Sequence, residues 1–304
     1  MSKRMQALWA GVVACALWGG LYPVTKVVME VLPPFVLVAT RLILGPLFLL
    51  PFVWRRGGFR WRWQTWDRVL AVGLVGFGAS QALQFVGTHL STASNGVLVT
   101  SATPAFVALF GAWVLGERLH RRQIFALVVA TLGVLVLIDP RTARWDDAVF
   151  VGNLALLGAA LTWALYSVLV RWLTRNLPTL EVSVGVIWGG LPLMLPLALW
   201  QSPRIPWEAV SWPVVLGVLY VALFATAAAM FLWNYAFAHL ESGTAALTFF
   251  VQPVVGVLVG ALWLGERVTM AFVLGGVLIG LGVYLAAMAS PSSKKTTERC
   301  DARI

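Results

Sequence analysis

Charge is what this chain of 304 residues has least of. Asp, Glu, Lys and Arg together make up 11% of it, against about 25% in a typical soluble domain. A water-soluble fold needs a charged exterior, so an ordinary cytosolic enzyme is excluded, and so apolar a chain is not a disordered one. Acids are the scarcer sign, with 12 against 22 basic residues. All of the acids, from Glu30 to Asp301, fall at or beyond the ends of apolar runs, and none falls in the middle of one. Cysteine occurs only as Cys15 and Cys300, at opposite ends of the chain, which excludes a disulfide framework and a CxxC metal pair. With three His and no Gly-x-Ser-x-Gly, His-Glu-x-x-His or mid-run Asp pair, little acid–base chemistry is on offer. No catalytic residue, cofactor or metal site is expected.

What the chain has instead is 60% hydrophobic residues, 16 Trp and 28 Gly, with a mean hydropathy of +0.85. Glycine lets membrane helices pack closely and tryptophan favours the interfaces. The runs do not alternate apolar with polar, which argues against a β-barrel. A membrane helix needs about 20 mostly apolar residues. Ten such runs can be marked, roughly 7–29, 35–54, 69–90, 95–116, 122–138, 149–171, 180–200, 211–237, 243–264 and 269–289. Turn signals separate them, among them Pro33-Pro34, Arg55-Arg56-Gly57-Gly58, Gly116-Glu117-Arg118 and Asp139-Pro140. Val12-Val13-Ala14-Cys15 resembles a lipoprotein cleavage box, but apolar sequence continues to Val28, so the first run is read as an uncleaved helix. With the N-terminus inside, cytoplasmic segments hold 16 Lys and Arg against 4 outside. That bias puts both termini in the cytoplasm. The net charge of +10 then belongs to loops on one side of a membrane, and nucleic acid is not an expected partner.

The two halves of the chain resemble each other. Leu115-Gly116-Glu117-Arg118 recurs as Leu264-Gly265-Glu266-Arg267, an offset of 149 at which Pro104 also falls on Pro253 and Leu132-Gly133-Val134 on Leu281-Gly282-Val283. Trp18 matches Trp163 at an offset of 145, and His89-Leu90 matches His239-Leu240 at 150. Five spans per repeat is an odd number, so the second half enters the membrane upside down. Inverted repeats are a mark of carriers that expose a midplane site to each side in turn. The expected architecture is an all-α integral membrane protein of ten transmembrane helices. Residues 1–146 form the first five-helix repeat, 147–289 the second and inverted one, and 290–304 a cytoplasmic tail.

Trp18-Gly19 in the first span, Arg41 in the second, and the paired stretches Thr92 to Arg118 and Gly243 to Arg267 resemble the EamA domains of the drug/metabolite transporter superfamily. The resemblance covers about 7–138 and 149–288. It implies a ten-helix basket whose central cavity is lined by the first, third, fourth, sixth, eighth and ninth helices. It also implies transport of amino acids, other small metabolites or drugs, often outward from a bacterial cytoplasm, and hence a place in the inner membrane.

Polar atoms inside a span are costly unless they face a cavity or a partner. Gln81, Gln84 and Thr88 lie at i, i+3 and i+7, on one helix face. Thr248 and Gln252 are four apart, and Ser101 and Asn234 sit in the fourth and eighth spans. These groups suit either a substrate's polar head or bonds between helices. Trp18 and Trp163 lie too deep for an interfacial belt, with Tyr22 four residues after the first and Tyr166 three after the second. Such rings suit the apolar body of a ligand, or an ammonium group by cation–π attraction. They equally suit plain packing. Pro104 and Pro253 are read as matched mid-span kinks, serving as hinges or static bends. Lys26 is expected to snorkel. Arg41 is deeper and has three candidate partners: helix-end carbonyls, a substrate carboxylate, or Glu30 at the rim. Glu117-Arg118 and Glu266-Arg267 read as interfacial anchors, with a gating ion pair as the alternative.

The reading that follows is export of small amphipathic metabolites, amino acids among them, by alternating access through facilitated diffusion or exchange. A proton-coupled multidrug or nucleoside exporter is the alternative, although no mid-span carboxylate is there to carry the proton. A membrane-embedded scaffold or sensor is the alternative of another class. A small-molecule substrate and the lipid bilayer are the expected partners. A monomer is expected, and glycines of the fifth and tenth spans (Gly133, Gly275, Gly276, Gly280, Gly282) leave room for a homodimer.

Overall fold

The computed structural model of the chain describes residues 2–90, 102–118, 120–138, 147–264 and 270–288, without the side chains of Tyr22, Lys26, His89 and some others inside the helices. Among the described residues every regular element is helical. In chain order these are α1 Lys3–Met29, α2 Pro34–Arg55, α3 Trp66–Gly73, α4 Gln81–Leu90, α5 Thr103–Leu115, α6 Arg121–Ile138, α7 Asp147–Leu173, α8 Thr179–Trp188, α9 Leu191–Gln201, α10 Trp212–Tyr220, α11 Ala229–His239, α12 Ser242–Leu247, α13 Val251–Leu264 and α14 Met270–Met288.

Local chemistry sets the boundaries. The Ser2 hydroxyl accepts from the amide of Met5 at 3.3 Å and caps α1. Pro34 begins α2, where its missing N–H costs nothing. Gly116 ends α5 with φ +66°, a left-handed stop that a side chain resists.

Four expected runs are not plain α-helices. The third carries a π-helical stretch, Leu74–Ser80, between α3 and α4. The eighth carries another, Val221–Ala228, between α10 and α11. The two begin 147 residues apart, close to the spacing of the sequence repeat. The seventh run bends by 41° between α8 and α9 at Gly189-Gly190. The ninth is divided into α12, a 3-10 turn at Thr248–Phe250, and α13. By length and composition four helical segments among the described residues can cross a membrane: Pro34–Arg55, Trp63–Thr88, Val149–Leu173 and Trp212–His239. The bent pair Thr179–Trp188 and Leu191–Arg204 makes a fifth.

α1 and α7 hold the middle of the bundle. α1 packs on α11, α13 and the second π stretch; α7 packs on α4, α5 and the first. α6 and α14 pair with each other at the side. Where α3 meets α8, a Cβ on Gly73 would lie 2.1 Å from the Val186 carbonyl and 2.8 Å from the Gly189 Cα. Only backbone fits there. The outer surface is apolar, with Leu109, Leu262 and Val277 exposed. Exposed tryptophans sit where helices end: Trp54, Trp113 and Trp172 at one end, Trp200 and Trp212 at the other. A soluble protein does not carry such a surface, whereas a bilayer solvates it and draws tryptophan to its two interfaces.

Candidate functional site

The residues singled out from sequence gather mainly where α1, α7 and α11 meet. Trp18 touches Trp163 edge-on, with ring centroids 5.8 Å apart, and touches Trp233 at 5.3 Å. Trp163 continues to Tyr166 at 4.9 Å, and Phe77 closes on both at 6.0 and 5.4 Å. On the other flank Trp233 meets Phe237 at 4.8 Å and Phe249 at 5.9 Å. Each such contact contributes about 0.5–1.5 kcal/mol beyond its buried area.

The two π stretches position this cluster in a reciprocal way. Phe77, from the first stretch, packs on Trp163 of α7. The Ala225 carbonyl, from the second, accepts the Trp18 indole N–H at 2.8 Å. A π turn disturbs the regular carbonyl ladder and so frees an acceptor of this kind. Each stretch therefore holds the tryptophan that belongs to the other half of the chain.

Most polar tips in the cluster are already bonded. The Tyr166 hydroxyl donates to Asn234 Oδ1 at 3.0 Å, and Asn234 Nδ2 donates to Ser183 Oγ at 3.0 Å. Ser183 donates onward to the Thr179 carbonyl at 2.8 Å. Trp233 Nε1 donates to Ser167 Oγ at 3.2 Å. Tyr166, Asn234, Ser167 and Ser183 are fully buried. Tyr166 and Asn234 thus form an internal brace joining α7, α8 and α11. Trp163 differs: its ring is only partly buried, and its Nε1 is covered yet has no hydrogen-bond partner.

Arg41 and Gln81 meet directly, with the guanidinium of α2 donating to the Gln81 side-chain oxygen at the start of α4. Of the three candidate partners, Glu30 is not in contact with Arg41; Glu30 caps the end of α1 and is exposed. The Arg41 Nε is covered and unpaired. Gln84 lies one turn along from Gln81 and is half-buried. The side-chain oxygen of Gln252 is covered without a partner, and its backbone carbonyl lies against Gly19 beside Trp18. Ser101 and the Tyr22 side chain lie outside the described residues.

Pro104 and Pro253 occupy matched places: Pro104 stands in the first turn of α5, and Pro253 stands just after the 3-10 turn that joins α12 to α13 in one helical run. Pro104 disturbs no hydrogen bond in its place, whereas Pro253 has no N–H to continue the ladder, which accords with the 3-10 turn just before it. Many hydroxyls are spent on backbone carbonyls: Ser80 on Ala159, Thr88 on Gln84, Thr226 on Val221 and Thr248 on Ala245.

At the end of the bundle that holds the N-terminus, a polar cluster ties the halves together. Arg171 of α7 donates to Glu117, to the Phe237 carbonyl at 2.8 Å and to the Leu240 carbonyl. Glu117 also accepts the Ser242 amide at 2.8 Å. Beside it, Gln123 donates to Glu241 and to Thr244, each at 2.9 Å. Reading Glu117 together with Arg118 missed this partner, which is 54 residues away. The signal that was available is Arg171 itself, an arginine closing an apolar run. Ser183, a lone hydroxyl inside the seventh run, was legible in the same way. Among the described residues no three His, Cys, Asp or Glu side chains group so as to hold a metal.

Comparison with known proteins matches the chain twice to the EamA-like transporter family, over residues 5–139 and 150–288. A probable amino-acid metabolite efflux pump of Escherichia coli is 29% identical over 276 residues, covering 88% of this chain and 90% of its own. A probable terminal-alkyne amino-acid exporter of Streptantibioticus cattleyicolor is 27% identical over 286 residues, covering 93% and 94%. An uncharacterized transporter of Bacillus subtilis is 22% identical over 284 residues, covering 92% and 97%. A solved crystal structure shares the fold with a TM-score of 0.79 at 24% identity, covering 93% of this chain and 98% of the other.

Proposed function

Because the chain belongs to the EamA-like transporter family and is a membrane transporter, we propose that it exports small amphipathic metabolites, amino acids among them, by alternating access. In this reading ten spans form two inverted repeats, 1–146 and 147–289, followed by a tail at 290–304. Both termini lie in the cytoplasm of a bacterial cell, and the protein sits in its inner membrane. The observation that carries the proposal is the reciprocal hold on Trp18 and Trp163. Two tryptophans at matched sequence positions meet at 5.8 Å, and each rests on the π stretch of the opposite half. Two equivalent halves around one chamber are what an alternating carrier requires.

The rest of the site fits that role. Trp163 offers a ring face and an uncommitted N–H, Gln252 offers a polar group beside Trp18, and half-buried Gln84 is proposed to add another from α4. Tyr166 and Asn234 hold the aromatic wall in place rather than touching substrate. Pro104, at the start of α5, and Pro253, where α12 gives way to α13, mark the places about which helices would swing. The Glu117–Arg171 cluster holds the cytoplasmic end shut, and the chamber opens there when the cluster parts. The names of the relatives, two of which concern amino-acid export, favour the same substrate class.

The test is counterflow. Purified protein in liposomes preloaded with unlabelled L-leucine should accumulate labelled L-leucine transiently and saturably, and should go on doing so when a protonophore removes the proton gradient. Flux that rises linearly with concentration and shows no counterflow means a channel and sinks the proposal. Topology is checked separately: reporters at both termini should read cytoplasmic, and Glu117 and Glu266 should label from opposite faces.

A further inference from the structure

We infer that Arg41 and Gln81 form the anionic-ligand end of the transport site and select substrates bearing a single carboxylate on an apolar body. The inference rests on the exporter reading above and names the substrate class of that same site.

The first argument is one of charge. Arg41 lies seven residues into α2, about 10 Å along the helix from its start at 1.5 Å per residue. That is well inside the apolar layer. Its hydrogen-bond partner there is the neutral side chain of Gln81, while its Nε is covered and unpaired. Among the described residues the ion pairs are those of Glu117 and Glu241, both at the other end of the bundle, and no carboxylate reaches Arg41. A buried cation without a counter-charge costs several kcal/mol. A substrate that brings the missing charge recovers part of that cost on binding.

The second argument is one of position. Gln81 stands one turn beyond Phe77, and Phe77 packs on Trp163 and Tyr166. Gln81, which holds the guanidinium, thus stands about one helical turn from the residue that packs on the aromatic wall. A guanidinium carries five N–H donors in a flat fork that fits the two oxygens of a carboxylate. With its oxygen turned to Arg41, the Gln81 amide nitrogen adds donors alongside. The partly exposed ring of Trp163 then receives the apolar body of the same molecule. One positive charge balances one carboxylate, whereas a phosphate dianion would leave a net negative charge in a low-dielectric site. A monocarboxylate is the ligand that closes the balance.

The experiment uses matched probes: L-leucine and 4-methylpentanoate, which carry the carboxylate, against L-leucinamide, which keeps the body and the ammonium of leucine and loses the carboxylate. Binding to purified full-length protein is read by tryptophan fluorescence and by thermal shift, and counterflow of the same compounds is read in liposomes. Both carboxylates are expected to bind at least tenfold more tightly than the amide. Arg41→Gln should erase that preference, Arg41→Lys should keep the preference with weaker binding, and Gln81→Leu should reduce it. If Arg41→Gln does not fold, the comparison of acid with amide on the wild type still decides. The inference is overturned if wild type binds the amide as well as the acids, if it binds neither acid, or if Arg41→Gln keeps the preference. Saturable counterflow of the amide alone would overturn it while leaving the exporter reading intact. Absence of counterflow for every probe, with the acid preference still present in binding, would instead count against the exporter reading.

Discussion

Replacing Arg171 by Gln removes the donor that ties α7 to Glu117 and to the end of α11. The guanidinium serves Glu117, the Phe237 carbonyl at 2.8 Å and the Leu240 carbonyl. Its side chain is 18% exposed and that of Glu117 is 13% exposed, so water supplies little compensation. A hydrogen bond to a charged group contributes about 1.5–3 kcal/mol, and breaking a buried pair costs about 3–5 kcal/mol. With some solvent access the lower end applies, about 3 kcal/mol, which is roughly a 150-fold shift toward the open form at about 1.4 kcal/mol per tenfold. The reporter is the Ser242 amide, bonded to Glu117 at 2.8 Å. Hydrogen exchange followed by mass spectrometry in lipid nanodiscs should find peptides covering 240–247 exchanging on the order of 100-fold faster in Arg171→Gln. Peptides from 191–201, at the far end of the bundle, should not change. A charge swap, Arg171→Glu with Glu117→Arg, should not restore protection, because the two carbonyls of α11 still lack a donor on α7. Unchanged exchange at 240–247, or a uniform rise across the whole chain, refutes the reasoning.

Trp163→Phe should weaken substrate affinity in liposome transport about tenfold, through lost ring contact and the lost indole N–H. Phe231→Ala, in an open groove lined by Gln6, Trp9 and Val13, should leave transport within about twofold; equal loss in both removes the aromatic site. Tyr166→Phe leaves Asn234 Oδ1 buried without its donor, at a cost of about 1–3 kcal/mol, and a lower melting midpoint in detergent with transport retained is the expected result. Gly73→Ala should give little folded protein by size-exclusion chromatography, since its Cβ would meet backbone at 2.1 Å. Gly280→Ala, with open space at its Cβ, should fold as well as wild type or better, by up to about 1 kcal/mol of helix propensity.

Helix placement was readable where hydrophobicity alone decides it. The second run, expected at 35–54, is α2 Pro34–Arg55, and the sixth, expected at 149–171, is α7 Asp147–Leu173. Hydropathy cannot report a break that keeps its residues apolar. The bend at Gly189-Gly190, the 3-10 turn at Thr248–Phe250 and both π stretches are set by packing between distant segments. The site shows the same division. The repeat brought Trp18 and Trp163 to notice, and they touch. Phe77, which packs on Trp163, and Ser167, which accepts from Trp233, look like ordinary core residues until the fold brings them alongside. For Arg41, sequence offered helix-end carbonyls, a substrate carboxylate or nearby Glu30, whereas the helices deliver Gln81 from 40 residues away. Pro104 stood mid-run in hydropathy and stands at the start of α5 in three dimensions, while Pro253 stays inside the ninth run, where the 3-10 turn meets α13.

The seam of α3 against α8 has a consequence for how this protein can change over generations. At Gly73 and Gly189 both partners already have the smallest side group available, so enlarging one cannot be answered by trimming the other. Compensation, the usual route by which two neighbouring positions drift together, is closed there. Substitutions can wander freely over lipid-facing positions such as Leu262, while this pair stays pinned for as long as the two helices meet backbone to backbone.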